Sequence, residues 1–335
     1  MSLSSDPERL HGGRLRAAAH AFRIPLPHWL DLSTGIHPHG WPVPPLPADV
    51  WRRLPEDDDG LALASFAYFC GRRALPLAGS QAAIQSLPQL FTPRRVAIVT
   101  PCYAEHARAW RSAGHDVASL APDAVDAALE NLDVLVLTHP NNPTGQLTSV
   151  ATLRDWHARL AARGGLLVVD EAFIDATPQA SLLADPALQV DAALVVLRSL
   201  GKFWGLAGLR CGFVVAHDTL LASLADRLGP WAVSHPARWV AQRALADRAW
   251  QARAATQLAA ASARLATLLA AHGLDSPSGC ALFRWVPTPR AHEHFAAFAE
   301  HAVLVRAFDD GLRFGLPGEQ AQWQQLEAAL AGVMR

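Results

Sequence analysis

Residues 166–175 read LLVVDEAFID, in which the short apolar run LLVV is followed directly by two carboxylates, Asp170 and Glu171. Similar apolar runs lie before and after it: VAIVT ending at Thr100, LDVLVLT ending at Thr138, ALVVLR ending at Arg198 and GFVVA ending at Ala216. Runs that are rich in Val and Leu on both faces are typical of buried strands in a mostly parallel sheet. Residues 104–113 and 149–163, between these runs, have the length and periodicity of crossover helices. The pattern therefore predicts an α/β fold in which helices sandwich a mostly parallel sheet.

The segments on either side of this core predict a second, smaller domain. Residues 24–47 contain many prolines, which predicts an ordered arm without regular structure. Residues 238–272 are rich in alanine with apolar residues at helical spacing, so we expect one long helix that links two domains. The remaining segments alternate strands with helices near 291–300 and from Glu319. The predicted domains are an N-terminal arm with part of the small domain (1–48), a large domain (49–237), and a linking helix with the C-terminal small domain (238–335).

The composition narrows the class of protein. The chain has 335 residues, of which 51% are hydrophobic and 18% charged, with a formal net charge of −1. This predicts a soluble globular protein without the basic field that nucleic-acid binding needs, so we expect small-molecule partners or a second copy of the chain. Residues 1–13 lack the apolar segment of a signal peptide, and there is no apolar run of about 18 residues, so we expect a cytoplasmic protein without a membrane partner. The cysteine and histidine spacings match no metal-binding motif, so we expect no metal.

Lys202 is the only lysine among 29 basic residues. Arginine can replace lysine wherever only positive charge is needed, but a guanidinium keeps its proton and does not attack a carbonyl carbon. A lysine amine with a lowered pKa forms Schiff bases. The count therefore favours a chemical role for Lys202 as an amine, and a chance survivor is the alternative.

Two motifs follow predicted strands, at the edge where this architecture binds ligands. The sequence HPNNPTG, residues 139–145, predicts a rigid turn that offers amide groups, although it could be a turn alone. Asp170 and Glu171 close the strand at 166–170. A buried carboxylate is costly unless it meets a cation, and a protonated heterocyclic nitrogen is one candidate. A helix N-cap is the alternative for Asp170.

A third motif, RSLGKFWGLAGLRCGF at residues 198–213, also follows a strand. It brings Ser199, Lys202 and Arg210 together around glycines that let the backbone approach an anion. Amine, hydroxyl and guanidinium groups suit a cofactor that has an aldehyde and a phosphate. Upstream, residues 79–81 lie at a predicted helix start, where N–H groups favour phosphate, with an ordinary helix cap as the alternative. Together these signals predict pyridoxal 5′-phosphate (PLP) as the cofactor.

The motifs HPNNPTG, DEAFID and SLGKFWGLAGLR resemble those of fold-type-I PLP enzymes of the aspartate aminotransferase superfamily, over nearly the whole chain from about Leu30. The resemblance implies that Lys202 holds the cofactor as a Schiff base and that Asp170 pairs with its pyridine nitrogen, and these two are the implied catalytic residues. The implied cofactor contacts comprise Gly79, Ser80, Gln81, Tyr103, Asn142, Asp170, Phe173, Ser199, Lys202 and Arg210. Among them, Tyr103 would stack on the ring and Asn142 would bind its 3′ oxygen.

The resemblance also implies a substrate site. Arg313, in GLRFGLP, matches the superfamily arginine that binds the substrate α-carboxylate as a bidentate fork. Arg306 matches the position where relatives bind a substrate phosphate, and an ion pair with Asp309 or Asp310 is the alternative. The implied substrate contacts are Gly35, His37, Asn142, Arg306 and Arg313. Homodimers with active sites between subunits are typical of the superfamily, so we expect a homodimer whose proline-rich arms close over the sites.

Within the superfamily the chain is most similar to the threonine-phosphate decarboxylases of cobalamin biosynthesis, on DLSTGIHP, LAGSQAAIQSLP, DEAFID, LRSLGKF and LAGLR. Phe173 stands where aminotransferases usually carry a tyrosine. His37 replaces an asparagine of the family, and Leu54 replaces a tyrosine that reaches the neighbouring subunit. The expected reaction is decarboxylation of L-threonine O-3-phosphate to (R)-1-amino-2-propanol O-2-phosphate. Histidinol-phosphate or related class I/II transamination is the alternative, and a cofactor-binding regulator of transcription is a third, for which no basic recognition helix is visible.

Overall fold

A computed structural model describes residues 11–276 and 278–334, so the first ten residues of the segment judged for a signal peptide lie outside it. The α-helices of the described residues are α1 (Leu15–Phe22), α2 (Asp49–Arg52), α3 (Leu61–Tyr68), α4 (Ser80–Ser86), α5 (Ala104–Ser112), α6 (Val125–Ala128), α7 (Val150–Ala161), α8 (Asp218–Leu228), α9 (His235–Ala246), α10 (Arg248–Ala271), α11 (Ala291–Glu300) and α12 (Gln320–Val333). None of these helices is long and apolar enough to cross a membrane.

The strands of the same residues are β1 (Leu30–Asp31), β2 (Ala74–Leu77), β3 (Arg95–Val99), β4 (Asp116–Leu120), β5 (Val134–Thr138), β6 (Leu166–Asp170), β7 (Leu194–Ser199), β8 (Gly212–Ala216), β9 (Ser278–Cys280), β10 (Phe283–Pro287), β11 (Val303–Leu304), β12 (Arg306–Phe308) and β13 (Gly311–Gly315). The chain divides into two compact units. The larger unit comprises residues 40–142 and 146–254, and the smaller unit comprises the described residues of 1–39, 143–145 and 255–335. The domain limits expected from the sequence stay predictions.

The larger unit contains a seven-stranded sheet in the order β2-β8-β7-β6-β5-β3-β4. Strand β8 is antiparallel to β2 and β7, and the remaining pairs are parallel. All residues of β5, β6 and β7 are buried, as their continuous apolar runs predict. The loop between β7 and β8, residues 200–211, contains no α-helix, which suits an antiparallel connection. The predicted mostly parallel α/β sheet is therefore confirmed.

The register of this sheet brings several strand ends to one edge. Thr138 at the end of β5 pairs with Asp170 at the end of β6. Ser199 at the end of β7 pairs with Gly212 at the start of β8, which also pairs with Leu77 at the end of β2. The loops that follow β5, β6, β7 and β2 therefore leave the sheet on the same side.

The smaller unit contains an antiparallel sheet in the order β12-β13-β10-β9 and a parallel pair of β1 with β11. The pair corrects the prediction of an arm without regular structure. The N–H groups of Leu30 and Leu32 donate to Ala302 (2.9 Å) and Leu304 (2.8 Å). Residues 28–37 contain no proline, so this stretch of the arm keeps the N–H groups that a strand needs.

The long helix predicted over residues 238–272 is present as the 24 residues of α10, but the prediction is wrong about its start. Helix α9 ends at Ala246 and α10 begins at Arg248, with Asp247 between them. The carboxylate of Asp247 accepts hydrogen bonds from the backbone of Trp250 (3.0 Å) and from Nε1 of Trp41 (3.1 Å). Its side chain therefore caps a new helix start, which the alanine-rich pattern conceals because it continues across the break.

Candidate active site

Asp170 ends β6 and is buried in the larger unit, with 5% of its surface exposed. Its Oδ1 accepts a hydrogen bond from the backbone of Ala172 at 3.0 Å, and its Oδ2 lies 2.9 Å from Nε2 of His106. The helical turn that follows, Ile174–Ala176, has Phe173 at its N-cap, so Asp170 does not cap a helix. The structure therefore buries a carboxylate at the ligand-binding edge of the sheet and holds both of its oxygens.

His106 was missed by the sequence reasoning. It lies in α5, is 1% exposed, and its ring meets that of Tyr103 edge-on with centroids 6.2 Å apart. The spacing of three between Tyr103 and His106 was the only available signal, because residues three apart at a helix start share a face. That spacing alone does not indicate Asp170 as a partner, since the two residues are 64 positions apart.

Lys202 lies in the loop after β7 and is half-buried. Its carbonyl oxygen accepts the N–H of Gly205 at 3.1 Å, which closes a tight turn. Its Nζ lies 5.1 Å from the centroid of the Phe173 ring, and Phe173 is 5% exposed. The structure thus places the amine of Lys202 near the ring of Phe173, which, unlike a tyrosine ring, carries no hydroxyl.

The predicted turn after β5 holds Asn142. Its backbone N–H donates to Oγ1 of Thr138 at 3.0 Å, and Nδ2 of the neighbouring Asn141 donates to the carbonyl of Pro101 at 2.8 Å. These bonds tie the loop to the ends of β5 and β3. Asn142 therefore lies on the same edge as Asp170 and Lys202, and its contact with a cofactor stays a prediction.

The residues expected to bind phosphate lie where β2 and β7 end and β8 begins. Arg210 adopts a left-handed conformation (φ 52°), and a Cβ at Gly79 would lie 2.5 Å from its Nη2. A Cβ at Gly212 would lie 2.6 Å from the backbone nitrogen of Ser80. The absence of a side chain at Gly79 thus lets the Arg210 guanidinium approach the backbone there. The absence of one at Gly212 likewise lets β8 approach the start of α4. Ser199 accepts the N–H of Gly201 at 3.2 Å with its hydroxyl.

Gln81 lies in the first turn of α4, and its expected contact with phosphate at this helix start stays a prediction. Its side chain is hydrogen-bonded to Tyr103 and Glu105, at 3.1 and 3.2 Å. A contact of Gln81 with phosphate would therefore fall to its backbone N–H.

The larger unit fits PLP by the chemistry of these groups. Lys202 offers an amine for an aldehyde, Asp170 offers a buried anion for a protonated ring nitrogen, and the glycine-lined approach of Arg210 to the start of α4 suits a phosphate. Burial raises the pKa of the nearby Cys102 thiol to about 12, so this thiol stays protonated and does not compete as a nucleophile.

The smaller unit brings together the two arginines expected to bind substrate. Arg306 and Arg313 are directly opposite each other on β12 and β13. Arg313 is 5% exposed and donates from Nη2 to the carbonyl of Ser33 at 2.8 Å. Burial, together with the charge of Arg306, lowers the pKa of Arg313 to about 10, so it remains a cation at pH 7. Like charges directly opposite are destabilising, so this pair suits an anionic ligand. Asp309 was one alternative ion-pair partner for Arg306, and its Oδ1 lies 3.6 Å from Nε2 of His292.

Gly35 and His37 lie in the same unit. Gly35 is buried with φ 62°, a conformation that favours glycine. His37 is 5% exposed, and its Nδ1 accepts the backbone N–H of His39 at 3.1 Å. Burial and the neighbouring His39 lower the pKa of His37 to about 4, so its ring is neutral at pH 7.

The sequence reasoning missed the contacts that hold Ser33, whose carbonyl accepts the hydrogen bond of Arg313. The hydroxyl of Ser33 donates to Oδ1 of Asp31 at 2.6 Å and accepts the N–H of Gly13 at 2.8 Å. A Cβ at Gly12 would lie 2.4 Å from the Ser33 carbonyl oxygen. The Gly12–Gly13 pair in the sequence indicates a close backbone approach. It does not indicate that Ser33, about 20 residues later, is the residue approached.

Residues 62–323 match the family model for aminotransferase class I and II. The chain belongs to the class I and II aminotransferase family. A threonine-phosphate decarboxylase of Pseudomonas aeruginosa is 51% identical over 96% of this chain and 97% of that relative. One from a Sinorhizobium species is 42% identical over 96% and 97% of the two chains. Among solved structures, L-threonine-O-3-phosphate decarboxylase from Porphyromonas gingivalis matches with a TM-score of 0.74 at 24% identity, over 90% of this chain and 98% of that one.

Membership of the class I and II aminotransferase family confirms the resemblance on which the sequence analysis relied. It also agrees with the mostly parallel sheet flanked by helices, which this chain shares with solved family structures. The individual cofactor and substrate contacts stay predictions, since the likeness to known proteins does not test them residue by residue.

Proposed function

We propose that this protein is a PLP-dependent carbon–carbon lyase that decarboxylates L-threonine O-3-phosphate to (R)-1-amino-2-propanol O-2-phosphate, in cobalamin biosynthesis. The relatives at 51% and 42% identity over nearly the whole chain carry the name of this enzyme. The structural observation that carries the proposal is the cross-strand pair of Arg306 and Arg313. A substrate with both a carboxylate and a phosphate offers each guanidinium an anion and so relieves their repulsion.

In this proposal the larger unit holds the cofactor. PLP supplies an aldehyde that links to amines and a protonated ring that accepts the electron pair of a broken bond. Lys202 binds the aldehyde through Nζ, and Asn142 binds the 3′ oxygen. Asp170 keeps the proton on the ring nitrogen, because an anion stabilises the charged form. His106 keeps the Asp170 carboxylate in place.

The substrate contacts decide which bond breaks. Arg313 binds the α-carboxylate as a fork, and Arg306 binds the phosphate, so the substrate is held at two points. Held in this way, the substrate would present the bond between Cα and the carboxylate for cleavage, and PLP would supply the group that accepts its electron pair. After CO₂ leaves, the ammonium group of Lys202 donates a proton to Cα.

The reaction is tested by supplying the enzyme with phosphothreonine, or with histidinol phosphate and 2-oxoglutarate, and assaying CO₂ and glutamate. The proposal expects CO₂ from phosphothreonine and no glutamate from histidinol phosphate. Phe173 favours this outcome, because transaminating relatives usually place a tyrosine hydroxyl at that position. Glutamate formation without CO₂ release would establish an aminotransferase instead.

We also propose a homodimer. Four apolar side chains in and beside α2 and α3 are 44–75% exposed in one copy of the chain: Trp51, Leu54, Leu63 and Phe66. Apolar surface of this kind is typical of protein interfaces. Leu63→Glu should shift sedimentation toward the monomer, whereas Leu147→Glu, at an exposed leucine outside α2 and α3, should not. A cytoplasmic location, expected from the sequence, is part of the same proposal.

A further inference from the structure

A chain of hydrogen bonds in the larger unit leads from Tyr103 to a buried carboxylate. The hydroxyl of Tyr103 donates to Oε1 of Gln81 at 3.1 Å. Nε2 of Gln81 donates to Oε2 of Glu105 at 3.2 Å. Glu105 is only 6% exposed, and its other oxygen accepts a bond from Nη1 of Arg108 at 3.4 Å. The phenol is thereby connected to a carboxylate through one amide.

The carboxylate determines which way the Gln81 amide points. A side-chain amide has a donor end and an acceptor end, whereas a carboxylate accepts only. The NH₂ group must therefore face Glu105, which turns the amide oxygen toward Tyr103. This leaves the Tyr103 hydroxyl one role in the chain, that of donor.

Tyr103 needs such a support because of its place in the backbone. It is the N-cap of α5, with φ −65° and ψ 114°, so its own backbone is extended and not helical. Its ring also meets His106, the partner of Asp170, edge-on. The bond to Gln81 and the contact with His106 together restrict the plane of the ring.

We propose that Gln81 and Glu105 are positioning residues that hold the Tyr103 ring in the plane that stacks on the cofactor. The inference rests on the proposed function, since it takes the ring as a platform for PLP. It assigns the Gln81 side chain to the ring of the cofactor rather than to its phosphate. Glu105 contributes through the orientation of the amide and touches no ligand.

The two roles of Gln81 are separated by comparing PLP with pyridoxal, which has the same ring without the phosphate. Both are titrated into the cofactor-free full-length protein, and binding is followed by the visible circular dichroism of the bound chromophore. Through Tyr103, Gln81→Leu should weaken PLP and pyridoxal by the same factor, roughly 3- to 10-fold for one lost hydrogen bond. As a control for loss of a phosphate contact, Arg210→Gln should weaken PLP and leave pyridoxal unchanged.

A double-mutant cycle tests the connection itself. Tyr103→Phe should weaken both ligands as Gln81→Leu does, and the double variant should be no weaker than either single one, because the same bond is lost. Glu105→Gln keeps the size of the side chain but lets the amide reverse, so it should reduce the circular dichroism signal per bound cofactor. Glu105→Asp should restore part of it. Melting temperatures with no ligand exclude unfolding as the cause.

Selective loss of PLP binding in Gln81→Leu would overturn the inference, as would additive losses in the cycle. An unchanged circular dichroism signal in Glu105→Gln would remove Glu105 from the chain of positioning residues. These outcomes differ from failure of the proposed function, in which the unmodified protein binds neither PLP nor pyridoxal.

Discussion

Nε2 of His106 lies 2.9 Å from Oδ2 of Asp170, and both side chains are at most 5% exposed. The pair joins the first turns of α5 to the end of β6, so it links two segments of the sheet edge that holds the candidate site. Burying a carboxylate costs free energy unless hydrogen bonds replace water. His106 and the N–H of Ala172 supply such bonds, one to each oxygen of Asp170.

Replacing His106 should therefore weaken cofactor binding. His106→Phe removes one of these two bonds, so Asp170 loses both orientation and stabilisation of its charge. We expect PLP affinity to fall about 10- to 100-fold, which is the effect of losing one hydrogen bond to a charged group. Equilibrium titration followed by visible absorbance measures it. His115→Phe is the control: this buried histidine bonds to Pro88 (2.9 Å), and its variant should lower the melting temperature without changing PLP affinity. Equal affinity losses in both variants would contradict a specific role for His106.

Lys202 can be tested by two substitutions that separate its amine from its charge. Lys202→Ala and Lys202→Arg should both lack the visible absorbance of covalently held PLP and should show no turnover. Arginine keeps the positive charge but does not form a Schiff base. A yellow, active Lys202→Arg enzyme would contradict the role of Lys202 as the only amine of the site.

The sequence predicted the parts of this site that depend on local pattern. The apolar runs ending at Thr138, Asp170 and Arg198 become adjacent strands, and polar residues just after strand ends meet at one edge of a sheet. His106 and Glu105 were not predictable in this way. Their roles come from side chains that touch residues 24 or more positions away, and no period or turn signal encodes such contacts.

Two elements of the fold escaped prediction for related reasons. The strand at Leu30 forms because its N–H groups find the carbonyls of Ala302 and Leu304, a pairing set by tertiary structure. At the break, the carboxylate of Asp247 caps the backbone of Trp250 and also accepts the indole N–H of Trp41, more than 200 residues earlier in the chain. Composition alone describes the average tendency of a segment, so proline-rich and alanine-rich stretches conceal such local exceptions.

Arg306 should determine the preference for phosphorylated substrate. Arg306→Gln removes one charge of the cross-strand pair with Arg313. We expect KM for phosphothreonine to rise about 10- to 150-fold, because a hydrogen bond to a charged group is worth about 1.5–3 kcal/mol. Turnover of free threonine should change little. Arg290→Gln, at an exposed ion pair with Glu293, is the control and should leave both values unchanged. If discrimination stays the same while the melting temperature falls, Arg306 has a structural role.

His37 should make stability depend on pH. Its pKa is lowered to about 4 in the folded protein, whereas the ordinary value is 6.5. Between these values the unfolded chain binds more protons than the folded chain, so stability falls as pH decreases from 6.5 to 4. The loss amounts to about 2–3 kcal/mol. His37→Asn should reduce the difference between urea midpoints at pH 7 and pH 5, whereas the exposed His20→Asn should keep it. An unchanged difference in His37→Asn would show that other groups cause it.

Gly79 should be required for the phosphate and not for the ring. A Cβ at this position would lie 2.5 Å from Nη2 of Arg210, and φ is 79°, so Gly79→Ala both displaces the guanidinium and strains the backbone. Gly114→Ala separates the two effects, because Gly114 has φ 86° and no atom within 4 Å of an added Cβ. Each variant should lose about 1–3 kcal/mol of stability from strain, with the larger loss in Gly79→Ala because ψ at Gly79 is 155°, in a region that is essentially restricted to glycine. Only Gly79→Ala should also weaken PLP relative to pyridoxal, because only there is Arg210 moved. A similar loss of both ligands in Gly79→Ala would mean that Arg210 does not bind the phosphate.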